Sequence, residues 1–325
     1  MKDSRAIVYL TLFLSLLAAT TQVFAQTNYP NRPIRFLVGY SPGGVNDIMS
    51  RLLAPEMTLS LGQQVIVDNR AGASGTIANS IAAQSSPDGY TILLVPTSFA
   101  IDVARGAKLP YDSLRDFLPV TQIAYSSLVL VVNPSLGTKT VQDLLAVARS
   151  KPGQLSFAHA GNGNVTHIAT ELLKAMTGTN MLAVPYKGGG AALVDVVAGR
   201  VQFGTPTIPP ALGHIKAGRL NAIGVTGAKR TDILPGVPTI SESGVPGYEA
   251  TAWWAVLVSK GTPDAIINRL HQEVARAVGK SEIRARLAAL GAEPVASAPH
   301  ELKQFLQAEI KKWGKVIKDS GLKIE

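Results

Sequence analysis

Two hydrophobic rhythms alternate along most of this chain, and near the end one of them takes over. Runs that are apolar almost throughout read as buried strands: IRFLVGY (34–40), QQVIVDN (63–69), YTILLVP (90–96), LVLVVN (128–133), LSFAHA (155–160), VQFGTP (201–206), LNAIGVT (220–226) and WWAVLVS (253–259). Between them the apolar positions recur at helical spacing: Asp47 to Ser60, Gly75 to Gln84, Val141 to Arg149, Val165 to Thr177 and Ala191 to Gly199. From Pro263 onward only the helical rhythm remains, in DAIINRLHQEVARAVG, SEIRARLAALG and PHELKQFLQAEIKKWGKVIKDSG. Each of these begins at a Ser, Thr-Pro-Asp or Pro signal and stops at Gly. Leu270, Val274 and Val278 form a stripe that predicts a core-facing side. Fully apolar strands separated by helices predict an α/β fold with mostly parallel sheets covered on both faces.

A faint repeat divides the pattern. Displacing the chain by 120 residues lays Gly43, Val45, Ile48, Leu52 and Leu53 on Gly163, Val165, Ile168, Leu172 and Leu173. Each half has a strand, a Gly-rich turn and a helix start, in that order. LLVPTS (93–98) and QFGTPT (202–207) form a second pair, both ending strands in hydroxyl residues. Two similar α/β lobes facing each other would gather these loops around one cleft.

Composition narrows the setting. Lys2 and Arg5 precede an apolar run from Ile7 to Ala19, and VFA (23–25) has the small residues a signal peptidase needs. Residues 1–25 therefore read as a secretory signal cleaved near Ala25, the run being shorter than the ~20 residues of a membrane span. The absence of Cys excludes a disulfide framework and thiolate chemistry, and export without disulfides suits a bacterial periplasm. Net charge is +9, or +8 once Lys2, Asp3 and Arg5 are removed, which favours anionic partners. Nucleic acid is excluded as a partner, because the basic residues are scattered and aromatics are few.

The chemistry on offer is mainly backbone chemistry. Gly39, Ser41 and Gly43 match the G-x-S-x-G of a serine hydrolase, but Pro42 follows the serine and has no N–H for an oxyanion hole. Neither SPGGVND nor AGNGNVTH carries the lysine of a phosphate loop. GNGNVT approaches a dinucleotide fingerprint without the acidic residue that should follow. The five histidines show no i, i+4 pair, so no metal site and no cofactor is expected. What remains are glycine turns that open helices, whose free N–H groups and dipole favour an anion. SPGGVND, AGNGNVTH and NRAGASGTIA are three such starts. Asp47 falls in the first helical turn, either to cap that helix or to accept from a ligand.

Five stretches carry a family resemblance: YSPGGVNDIMSRLLAP, VDNRAGASGTIANSIAAQSSPDGYTILL, PYKGGGAALVDVVAGRVQF, LPGVPTISESGVPGYEATAWWAVLVSKGTP and the closing WGKVIKDSG. In these the chain resembles the substrate-binding proteins of tripartite tricarboxylate transporters, the Bordetella uptake gene family, over essentially all of its length after the signal. The resemblance implies a two-domain periplasmic-binding-protein type II fold with a ligand cleft between lobes joined by two crossing strands. Lobe 1 would be 26–126 plus 251–325, and lobe 2 would be 127–250. It implies a monomeric, non-enzymatic receptor for a small carboxylate (a di- or tricarboxylate, an amino acid or an aromatic acid). Its partners would be large and small integral-membrane transporter subunits or, alternatively, a membrane sensor kinase. Carried over by motif, the first-lobe contacts fall on Tyr40, Ser41, Gly43, Gly44, Asp47, Thr97 and Ser98. Those of the second lobe fall on Ala160, Gly161, Asn162, Gly163, Asn164, Thr166, His167 and Thr205. The chain departs from the family at Gly39-Tyr40, where Pro-Phe is frequent. It departs again at Asn162 and Asn164, where a Ser-Gly pair is common, and in GTPTIPP, where an acidic or amide residue is frequent.

Overall fold

The computed structural model describes residues 29–320, Lys187 excepted. The expected secretory signal, residues 1–25, lies outside the described residues.

Two mixed sheets organise the chain. The first is built on β1 (Ile34–Val38), which pairs in parallel with β2 (Val65–Asn69) on one side and β3 (Thr91–Pro96) on the other. Next to β3 comes β10 (Thr251–Ser259), antiparallel to it, then β4 (Phe117–Ser127) and the short β11 (Glu293–Pro294). The second sheet runs β7 (Leu182–Pro185), β6 (Ser156–His159), β8 (Phe203–Gly204), β5 (Val129–Val132) and β9 (Asn221–Val225). Here β6 is parallel to β7 and β8, while β5 is antiparallel to β8 and β9.

The expectation of mostly parallel sheets needs correction, because β10 and β5 run against their neighbours. Burial explains the error. All nine residues of β10 are buried, as in a central parallel strand. Cover on both faces makes a strand apolar whatever its direction, so the apolar run carries no information about polarity.

Two passages join the sheets side by side. On the way out, β4 ends at Ser127 and β5 begins at Val129, leaving Leu128 between them. On the return, β10 enters the first sheet at Thr251, opposite Ser127. Thr226 ties the passages together: its N–H donates to the Leu128 carbonyl (3.0 Å), and its Oγ1 accepts from the Leu128 N–H (2.8 Å).

Ten α-helices stand among the described residues. α1 (Val45–Leu61), α2 (Thr76–Ala83) and α3 (Ser98–Ala104) follow β1, β2 and β3. α4 (Val141–Ser150), α5 (Val165–Thr177), α6 (Gly189–Val197) and α7 (Ile208–Lys216) serve the second sheet. α8 (Asp264–Gly279), α9 (Ser281–Ala289) and α10 (Pro299–Ser320) close the chain. The stripe expected on α8 is buried, with Leu270, Val274 and Val278 at 2% exposure or less. α10 packs on both α3 and α5, so it touches helices that follow both sheets. Glu309 is buried on it and accepts from two indoles, Trp253 Nε1 (2.8 Å) and Trp313 Nε1 (2.9 Å), which with Lys312 satisfies its charge. Among the described residues no helix is long and apolar enough to cross a membrane.

Candidate functional site

The Gly-rich turns follow strands and open helices, and the two that the repeat relates share a backbone course. Gly43 and Gly163 are both left-handed, at φ +79° and +72°, a region that disfavours side chains. The next residue is an extended N-cap in both: Gly44 at φ −76°, ψ 165°, and Asn164 at φ −69°, ψ 152°. Val45 and Val165 then begin the helices. The N-cap amide folds back on the residue three before it, Gly44 to Ser41 (3.3 Å) and Asn164 to Gly161 (3.2 Å). The left-handed glycine donates its N–H forward to the side chain four residues on. Gly43 donates to Asp47 Oδ2 (2.9 Å), and Gly163 donates to His167 Nδ1 (3.3 Å).

This changes what the turns offer. The amides of Gly43, Gly44, Gly163 and Asn164 already have acceptors within the turns, so any open donors lie further into the helix starts. In the first turn the Val45, Asn46 and Asp47 N–H groups have no acceptor among the described residues, and Gly44 supplies no side-chain cap. The second turn is more closed: Asn164 Oδ1 accepts from the Thr166 N–H (3.1 Å), and the Asn164 carbonyl from the His167 N–H (2.9 Å).

The other expected residues divide by burial. Ser41, Gly43, Gly44, Asn162 and Asn164 are exposed, and Tyr40, Ser98, Ala160, Gly161 and Gly163 are partly so. Asp47, Thr97, Thr166, His167 and Thr205 are buried, each with a side-chain atom engaged inside the fold, while His167 Nε2 has no partner. Thr97 Oγ1 accepts from the Trp253 N–H (2.8 Å). Thr166 Oγ1 accepts from the Ala160 N–H (2.9 Å), and Thr205 Oγ1 donates to the Thr166 carbonyl (2.8 Å). These groups build the turns from behind. Asp47 Oδ2 accepts from the Gly43 N–H (2.9 Å), the residue before the N-cap, and both its oxygens accept from Arg51 Nε. Burial pushes its carboxyl up, but hydrogen bonds from Arg51 and the Gly43 amide reverse the effect and hold it below the ordinary value.

Further contacts, with partners the sequence did not single out, brace the first turn. The departure at Gly39-Tyr40 has a geometric meaning: a Cβ on Gly39 would lie 2.6 Å from Gly75 Cα, so glycine lets the loop at 73–75 reach the end of β1. Tyr40 then fastens that loop, donating to the Ser74 carbonyl (3.0 Å) and sharing a hydrogen bond with Ser98 Oγ (2.6 Å). Burial pushes its hydroxyl up to about 12, so it stays protonated. Asn46 Oδ1 accepts from Trp254 Nε1 (2.7 Å), tying the start of α1 to β10. Val165 packs against the same apolar cluster that contains Trp254. The helix that Val165 opens also contacts β10. No signal in the sequence linked Asn46 to a tryptophan 208 residues away.

Neither turn contains Lys or Arg. The nearby Arg51 is held by Asp47 (2.9 Å) and Asn69 (3.1 Å). A pocket of ≈ 20 Å³ adjoins the second turn between His159, Thr166, Gly189 and Gly204, with room for about one water. A groove of ≈ 700 Å³ between Lys139 and Glu242 shares no residue with either turn. No group of three or more His, Cys, Asp or Glu that could hold a metal occurs among the described residues.

Known proteins provide the context. The family model of the tripartite tricarboxylate transporter family receptor matches residues 49–322. Protein BugT of Bordetella pertussis is 36% identical over 327 residues, covering all of both chains. Among solved structures, the R. palustris protein Rpa4515 with adipate is 36% identical at TM-score 0.77, over 90% of this chain and 98% of that one. MatC from Rhodopseudomonas palustris with bound malate is 32% identical at TM-score 0.74, over 89% and 100%. With its two mixed sheets, its paired turns and a family match over most of its length, the chain belongs to the tripartite tricarboxylate transporter receptor family.

Proposed function

We propose that the chain is a non-enzymatic periplasmic receptor that captures a small carboxylate between its lobes. It delivers that ligand to the large and small integral-membrane subunits of a tripartite tricarboxylate-type uptake system. The observation that carries this reading is the open start of α1, where the Val45 and Asn46 amides have no acceptor and the turn carries no fixed positive charge. Such a helix end favours a carboxylate by about 0.3–2 kcal/mol. The adipate and malate in two related structures support the same ligand class. The lobes close by bending where the two passages lie side by side, at Leu128 and around Thr226 and Thr251. The chain is exported by residues 1–25, cleaved near Ala25, and acts as a monomer.

A thermal-shift screen tests the reading. Adipate, malate and other organic acids are compared with neutral sugars and with metal cations. An acid present at 100 times its dissociation constant stabilises the fold by about 2.7 kcal/mol. A clear shift with a sugar or a cation, and with none of the acids, would sink it.

A further inference from the structure

The second turn is held by an unusual acceptor. Gly163 donates its N–H to an imidazole, His167 Nδ1, at the position where the first turn uses the Asp47 carboxylate. An ionic neighbour stands four residues further along each helix. Arg51 backs Asp47, and Glu171 stands 3.8 Å from His167 Nε2. The residues behind the two pins thus carry opposite charge, although the backbone is shared.

An imidazole nitrogen accepts a hydrogen bond only when it carries no proton. Nδ1 must therefore be bare, and the proton of the neutral ring sits on Nε2, which is buried with no hydrogen-bond partner, Glu171 Oε1 lying 3.8 Å away. The surroundings keep the ring neutral. His167 is 3% exposed, and the His159 ring from β6 stacks on it at 4.0 Å and 12°. Burial first, then His159 and Lys174, push its pKa down to about 3. Glu171, the facing carboxylate, is paired through its Oε1 with Lys174 Nζ at 2.7 Å.

We propose that His167 is a positioning residue for the second turn: an uncharged imidazole whose bare Nδ1 pins the Gly163 amide without placing a negative charge behind a bound anion. The first turn uses a charged pin and offsets it with Arg51. The second removes the charge from the pin itself.

Two measurements without any ligand test the pin. Nitrogen NMR of the wild-type protein should find His167 protonated at Nε2 and bare at Nδ1; the opposite tautomer overturns the proposal. Amide exchange follows Gly163, with Gly43 as the internal reference for a turn whose pin is unchanged. His167→Phe keeps a stacking ring but has no acceptor, and should speed exchange at Gly163 relative to Gly43 by about tenfold. His167→Asn carries an acceptor oxygen near the Nδ1 position and should restore protection to within about threefold. Unchanged exchange in His167→Phe, or no restoration in His167→Asn, overturns the pin.

A binding arm uses adipate as the probe and rests on the carboxylate reading. Affinity should fall about tenfold in His167→Phe and return in His167→Asn. Undiminished adipate affinity alongside fast Gly163 exchange shows that the pin does not position the site, and overturns the proposal. A wild-type protein indifferent to every acid defeats the carboxylate reading instead, while the tautomer and exchange results still decide the pin.

Discussion

The turn at Gly43 and the turn at Gly163 follow one backbone path with opposite side-chain solutions. In the first, the N-cap is a glycine, the pin is a carboxylate, and the Val45, Asn46 and Asp47 amides are left without acceptors. In the second, the N-cap is an asparagine, the pin is an imidazole, and the Thr166 and His167 amides are already taken. The backbone path is fixed by the left-handed glycine and the extended residue after it, while the hydrogen bonds that hold it accept any side chain with a lone pair at the right spacing. A duplicated geometry can therefore keep its shape while its charge, its capping and its readiness for an anion diverge.

The largest expected effects test whether the glycines are equivalent. Gly43→Val and Gly163→Val each force a β-branched residue into the left-handed region, which costs about 1–3 kcal/mol of stability. At Gly43 an added Cβ meets nothing within 4 Å, so its loss is conformational and not steric. Paired thermal unfolding should give similar losses, and a tolerant Gly43→Val beside a damaging Gly163→Val would break the equivalence.

Acid separates the two pins. His167 titrates lower in the fold than its ordinary 6.5, so below that pH the unfolded chain binds more protons than the folded one. Stability is then complete above about 6.5 and falls as pH drops, by up to ~1.4 kcal/mol per pH unit from this one group. Burial pushes His159 in the same direction. Asp47 is also held low, but its contribution persists until pH falls below its ordinary 3.8. Between those limits amide exchange should loosen at Gly163 before Gly43, and the reverse order would contradict the assignment of the pins.

The smallest effects concern the caps. Asn164→Ala should cost about 1 kcal/mol, because the Thr166 amide loses its acceptor. Gly44→Asn should gain a few tenths of a kcal/mol by capping α1. It should also weaken adipate binding, measured by titration calorimetry, because the new side chain covers an amide that the ligand would use. A variant that gains stability with no change in affinity would show that the open start of α1 is not where the anion sits.

The repeat was legible because its five identities fall where backbone and core allow few alternatives. Gly43 and Gly163 need a positive φ, Val45 and Val165 start the helices, and Leu53 and Leu173 are fully buried. The pins were not legible, because Asp47 and His167, like Arg51 and Glu171, share a place and no residue type. β4 escaped notice for a related reason. Pro119, Thr121, Gln122, Ser126 and Ser127 interrupt its apolar run, yet Thr121 Oγ1 donates to the Ser297 carbonyl (2.7 Å) and the Gln122 N–H to Ser297 Oγ (3.0 Å). Its polar groups are answered by a segment 176 residues away, a relation no local window contains. α7 opens on Pro209-Pro210, which reads as a loop but fits the first turn of a helix, where the missing N–H groups are not needed.

The placement of β10 sets an order of assembly. It is the strand between β3 and β4, and it is synthesised only after every strand of the second sheet. A chain emerging from its N-terminus can complete the second sheet while the first still has a gap at its centre, with two unpaired edges facing it. Residues 251–259 close that gap, and until they arrive the nascent protein carries one finished half and one half open to mispairing.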